Sequence, residues 1–110
     1  MTDAHALPWS HVRSIVACLD ARNGTDPDEI ATRLLKVTEE AGEVAQAYIG
    51  MQGQNPRKGI THTRADVAVE LCDVILSAMV ALHSFEDDPA ELLAFDAKHK
   101  AARLHRPISA

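Results

Sequence analysis

Residues Val67–Leu82 read VAVELCDVILSAMVAL, and this stretch decides the fold. Laid on a helix at about 100° per residue, Val67, Leu71, Val74, Ala78 and Leu82 fall along one line. Val69, Cys72, Ile75, Leu76, Met79 and Val80 cover most of the remaining circumference. One strip is polar: Asp66, Glu70, Asp73 and Ser77. A helix that is apolar nearly all round is expected to be buried, and this one is too short and too acidic to span a membrane. Three carboxylates then share one line of a buried helix. Like charges at that spacing repel, and a buried charge is costly unless it is paired or bound to a metal. The strip calls for a counter-charge that the rest of the chain must supply or hold.

The surrounding sequence is short and helical in character. With 110 residues, a single domain over 1–110 is expected, and a thin helical chain of this size gains apolar burial by oligomerising. Aromatic residues are few and alanine is abundant, which favours close-packed helices over sheets. The formal charge is −5, and Glu39, Glu40, Glu43, Asp66, Glu70 and Asp73 account for it; without them acids and bases nearly balance. Acidity gathered in two short segments argues against a nucleic-acid backbone binder. Cys18 and Cys72 sit in apolar helical patterns without a CxxC or Cys/His cluster, so reduced, buried thiols are expected. The stretch MTDAHALPW has neither a basic region nor an apolar run of the export type, which leaves the cytoplasm as the expected location.

Local signals divide the chain into four helices. Residues 1–9 read as an irregular lead-in, with Trp9 stapling onto the helix that follows or, as the alternative, stacking on a base. Ser10 is the expected cap of a first helix carrying Val12, Ile15, Val16 and Leu19, closed by Asn23-Gly24. Asp26-Pro27-Asp28-Glu29 opens a second helix, with Asp26 as cap and Pro27 in the first helical position. That helix runs to about Ile49 and stops at Gly50, its stripe being Ile30, Leu34, Val37, Ala41, Val44, Ala45 and Tyr48. Gly42 lowers its propensity and leaves room for a close approach. Met51–His62 is a Gly/Pro loop bearing Arg57-Lys58, either an anion-holding segment or a solvated surface loop. Thr63-Arg64-Ala65-Asp66 resembles a capping box, which would spend Asp66 on the backbone. After a turn at Ser84–Asp88, Asp88-Pro89-Ala90-Glu91 starts a fourth helix that becomes basic at Lys98, Lys100, Arg103 and Arg106. Late cations suit a helix C-terminus and could equally reach phosphates.

Two antiparallel helices joined by a loop bring their mid-sections together. Glu39, Glu40 and Glu43 would then face Glu70 and Asp73. Hard oxygen donors in that number suit Mg²⁺ or Mn²⁺. No His/Cys set favours zinc, and the Glu-x-x-His of a bundle di-iron site is missing from both acidic helices; Asp96-x-x-His99 is the nearest approximation and lies elsewhere. An E-E-x-x-E run alone is usually a solvated face. The Glu70-x-x-Asp73 pair is more telling, because its helix has no other polar face.

KVTEEAGE (Lys36–Glu43) followed by ELCD (Glu70–Asp73) resembles the MazG-like nucleoside triphosphate pyrophosphohydrolases of the all-α NTP pyrophosphatase superfamily. Their hallmark, E-x-x-E then E-x-x-D, is matched by Glu40, Glu43, Glu70 and Asp73, and the likeness covers residues 26–85. The resemblance implies an all-α, four-helix antiparallel bundle completed by oligomerisation, usually as a homodimer. It also implies Mg²⁺-dependent hydrolysis of an NTP or dNTP to the monophosphate and pyrophosphate. On it, Glu40, Glu43, Glu70 and Asp73 would bind Mg²⁺, with Mn²⁺ as a substitute, and Glu39 would orient or deprotonate the attacking water. Lys36 sits where such proteins often place a phosphate-contacting Lys, although its arc also offers it Glu40 as an ion-pair partner. Lys58, Arg64, Lys98 and Arg103 are further phosphate candidates, with Arg57 beside them; the usual Asn of the basic tail is missing. Alternatives are a phosphoribosyl-ATP pyrophosphohydrolase and a non-catalytic helical module that binds a partner's basic surface.

Overall fold

The computed structural model describes residues 7–105. These form four helices, α1 (Leu7–Asn23), α2 (Pro27–Gln52), α3 (Arg64–Leu82) and α4 (Pro89–Leu104), with no strand among the described residues. The chain is therefore all-α. None of the described helices is long and apolar enough to cross a membrane.

Most helix ends follow the local signals. Asp26 caps α2 by accepting from the Glu29 N–H at 2.9 Å, with Pro27 in the first turn. Thr63 and Asp66 form a reciprocal capping box on α3, so Asp66 is spent on the backbone. Hydrogen bonds from the Thr63 backbone and side chain hold the Asp66 carboxyl below its usual range. Asp88 caps α4 above Pro89. Gly24 closes α1 in the left-handed region, as expected.

Three boundaries differ from expectation. α1 begins at Leu7, so Ser10 lies inside the helix and Trp9 is helical rather than part of a lead-in; residues 1–6 lie outside the described residues. Trp9 still packs as a staple would, against the core and 5.7 Å from the His83 ring. α2 passes through Gly50 and ends at Gln52, with the left-handed cap supplied by Gly53. Gly50 stays helical because the returning loop needs its bare Cα: a Cβ there would collide with the Thr61 hydroxyl and the His62 ring. The loop is pinned to the same place by the Thr61 N–H donating to the Gly50 carbonyl at 3.0 Å.

α2 and α3 pair as an antiparallel hairpin and dominate the packing. Their inward faces are not the apolar ones. On α3, Glu70, Asp73 and Ser77 turn toward α2, whereas Ala68, Leu71, Cys72, Ile75 and Ala78 are exposed, Ile75 by 57%. On α2 the inward line is Arg33, Val37, Glu40, Val44 and Ala47; Leu34, Ala41, Ala45 and Tyr48 of the expected stripe face solvent. The expectation that α3 is buried all round is therefore not met within one chain. The carboxylates take the interface, which turns the apolar residues outward. Cys72 lies on that outward face, and both cysteines are free and exposed rather than buried. Nothing approaches Gly42, which also points outward.

The core is small. Val12, Met79 and Val80 are buried, with Trp9, Val16, Leu19 and Leu76 packed around them, so it lies where α1 crosses the C-terminal half of α3. α1 is tied to α2 by Arg33, whose side chain is only 5% exposed. Its guanidinium donates to Glu29 at 2.8 Å, to Asp20 of α1 at 2.9 Å and to the Gly24 carbonyl at 3.3 Å. Burial opposes the charge on Arg33, yet the two carboxylates hold its pKa above the ordinary value. α4 stands apart: beyond its first turn only Asp96 is even half-buried. The described residues of one chain do not close a four-helix bundle.

Arg33→Met should loosen α1. It strips both carboxylates of their cation, but Asp20 is partly open to water, so the expected loss is about 2 kcal/mol. That corresponds to a melting temperature roughly 10 °C lower by circular dichroism. An unchanged melting temperature would mean that the clasp contributes nothing to holding α1.

Candidate metal centre

Glu40 and Glu43 lie one turn apart on α2, and Glu70 reaches them from α3. Each of the three offers one carboxylate oxygen, and those atoms all lie within 4.8 Å of one another. Opposite ligands on Mg²⁺ are about 4.2 Å apart, given metal–oxygen distances of about 2.1 Å, so a slight closure of the side chains would complete a binding geometry. Asp73, one turn along α3, acts on Glu40 through its charge. The sequence-predicted set is thus brought together, with Asp73 beside the three clustered acids.

The electrostatics favour a cation. Glu40 Oε2 and Glu70 Oε2 are buried and have no hydrogen-bond partner among the described residues. Such groups normally find partners. Burial raises the Glu40 pKa, and the neighbouring Glu43 carboxyl and the Asp73 charge raise it further, against a smaller opposing effect of Lys36. Lys36 Nζ stands 3.8 Å from Glu40 and is bonded more closely to Glu39. A single exposed ammonium cannot neutralise three clustered carboxylates. The donor set is oxygen only, which fits Mg²⁺ or Mn²⁺ rather than zinc.

The remaining predicted residues are dispersed. Glu39 is exposed and paired with Lys36 rather than gathered into the cluster. Lys58 lines a hollow of about 410 Å³ beyond the C-terminal side of the acids, together with Gln46, Asn55 and His62. Arg64 is exposed in the first turn of α3, on the side opposite the acid strip. Lys98 and Arg103 are carried on α4, away from the acids; Arg106 lies outside the described residues.

One feature is absent from the sequence reading. On the N-terminal side of the acids along α2, an apolar slot of about 210 Å³ opens between α1, α2 and α3. Ile15, Leu19, Leu76 and Val80 form its walls, and Lys36 and Ser77 stand at its polar edge. Ser77 continues the polar strip one turn beyond Asp73, and that spacing is the signal that could have found it. No family model, curated protein or solved structure matches the chain.

The cluster has a measurable pH signature. With Glu40's pKa raised, the metal-free fold gains stability from the protonated carboxyl at acidic pH and loses it as pH rises toward neutrality. Bound Mg²⁺ should reverse this. At 100 times its dissociation constant it would add about 2.7 kcal/mol, with a larger melting-temperature gain at pH 7.5 than at pH 5. Thermal melts with and without Mg²⁺ test this, and Glu70→Gln should abolish the gain at both pH values.

Proposed function

We propose that this chain is a Mg²⁺-dependent nucleoside triphosphate pyrophosphohydrolase that converts an NTP or dNTP to the monophosphate and pyrophosphate in the cytoplasm. The observation that carries the reading is the convergence of Glu40, Glu43 and Glu70, two of them with orphaned buried oxygens, on a seam that also carries, at Lys36 and Ser77, the polar edge of an apolar slot. The resemblance of Lys36–Glu43 and Glu70–Asp73 to the MazG-like enzymes supports the same assignment.

On this reading Glu40, Glu43, Glu70 and Asp73 would hold Mg²⁺. When bound, the ion neutralises triphosphate charge and makes a water more acidic. The rest of the chemistry falls to side chains. Lys36 exchanges Glu39 for a phosphate oxygen when the triphosphate arrives, and the freed Glu39 carboxylate orients the attacking water and takes its proton. The water adds to phosphorus and the bridging oxygen leaves with pyrophosphate. The slot between Ile15, Leu19, Leu76 and Val80 receives the base by apolar contact, and Ser77 supplies a hydrogen bond at its edge.

Pyrophosphate release from a panel of NTPs, dNTPs and phosphoribosyl-ATP tests this directly. The wild type should turn over at least one member with Mg²⁺. Glu70→Gln should lose both metal binding and turnover, whereas Glu39→Gln should keep metal affinity and lose about 10²-fold in kcat. Turnover of phosphoribosyl-ATP alone would assign the related pyrophosphohydrolase activity instead. A folded wild type that neither binds Mg²⁺ nor hydrolyses any member would leave the non-catalytic interaction module.

A further inference from the structure

We infer that the hollow between the end of α2 and the loop of residues 53–63 is a second small-molecule site, and that it takes a nucleoside monophosphate. The inference stands apart from the hydrolase reading. If both hold, the ligand belongs to the class of that reaction's own product.

The loop is the first observation. Eleven residues join α2 to α3, where consecutive packed helices are commonly joined by about 2–8. The extra length is ordered. The Gln54 N–H donates to the Ile49 carbonyl and the Thr61 N–H to the Gly50 carbonyl, so both ends of the loop are fastened to the last turns of α2. Between them Asn55 closes a turn: its Oδ1 accepts from the Arg57 N–H at 3.0 Å, and its carbonyl accepts from the Lys58 and Gly59 N–H groups. Gly59, in the left-handed region at φ 68°, sends the chain back toward the helix. Chain fastened at both ends and arched in the middle encloses space, here about 410 Å³. That volume falls within the range of roughly 300–1,000 Å³ typical of small-molecule pockets.

The lining is the second observation. No carboxylate lines the hollow, although the chain carries a formal charge of −5 and Glu43 lies only one turn before Gln46. Lys58 and His62 are its ionisable groups. Lys58 forms no ion pair among the described residues. His62 shares a hydrogen bond with Thr61 through Nδ1 at 2.9 Å. An Nδ1 that accepts from the Thr61 hydroxyl puts the ring proton on Nε2, where it can donate to a phosphate oxygen. One ammonium and one imidazole N–H suit a single phosphate monoester, whose charge is about −1.5 to −2 at neutral pH. The further charge of a triphosphate would go uncompensated beside Glu43.

The rest of the lining is uncharged and reads the body of the ligand. Gln46, Gln54 and Asn55 contribute carboxamides, and Ile49, 50% exposed, contributes an apolar surface. A carboxamide sets a donor beside an acceptor, the combination that matches a nucleobase edge, while Ile49 offers contact to a ring. Bare phosphate would leave these amides unused, and a wholly apolar ligand would strand them without water. A phosphate on a planar, hydrogen-bonding body uses every part of the lining.

The test is isothermal titration calorimetry of the full chain with adenosine, guanosine, cytidine and uridine monophosphates. The buffer is free of divalent metal, so that nothing at the acid cluster can recruit a phosphate. At least one nucleotide should bind, one per chain, with a Kd below about 1 mM. Lys58→Met should weaken that binding about tenfold, and Gln54→Leu should narrow the differences among the four bases. Lys36→Met, at the edge of the slot on the other side of the acids, should leave it unchanged. All three positions are exposed, so circular dichroism should stay that of the wild type. Failure of all four nucleotides to bind at 1 mM would overturn the inference. So would a loss with Lys36→Met in place of Lys58→Met, which would put the nucleotide in the slot. Inorganic phosphate or ribose 5-phosphate bound as tightly as the nucleotide would also overturn it, because the carboxamides would then read nothing.

Discussion

The structure depends on where the carboxylates of α2 and α3 point. Glu40, Glu43 and Glu70 occupy the seam between the two helices, a place that apolar residues fill in most helical hairpins. Repulsion among them opposes the pairing. What holds the seam closed is the contact around it: Val37, Val44 and Ala47 of α2 beside the acids, the Gly50 contact with the returning loop, and the α1 cap on the other end. Every other unusual feature follows. The apolar residues of α3 turn outward, the core shrinks to a cluster around Val12, and the seam is left with an appetite for positive charge.

Much of this was legible in the residues. The four helices, the caps at Asp26, Thr63 and Asp88 and the left-handed Gly24 were all fixed by local chemistry, which depends on neighbours in sequence. The coming together of Glu40, Glu43 and Glu70 was legible as well, since one polar strip on an otherwise apolar helix has a single sensible destination. Burial was not. Periodicity identifies a face but not which face meets another helix, and here the polar strip wins because both helices carry one. Leu34, Ala41 and Ala45 look like core by spacing and are exposed for that reason.

Long-range pairs were equally hidden. Arg33 reads as an ordinary surface cation one turn after Glu29; its burial follows from Asp20, thirteen residues earlier, which only the packing of α1 brings near. Gly50 reads as a helix stop because glycine so often is one. Its real role is to let Thr61 and His62 come against the helix, and that contact exists only once the loop has returned. The basic residues divide along the same line. Lys36, local to the acids in sequence, is also local in space, whereas Lys98 and Arg103 depend on the course of α4.

The attachment of α1 has a consequence for ligand binding. This helix is held to the hairpin by one small apolar cluster and one buried guanidinium, so it can detach as a unit while the α2–α3 pair persists. Ile15 and Leu19, two walls of the slot, belong to it. The slot is therefore present only in the fraction of molecules in which α1 is docked. Affinity for anything bound there is scaled by that fraction, and a bound ligand in turn draws the population toward the docked form. Recognition and the ordering of the N-terminal helix are a single equilibrium, read from two ends.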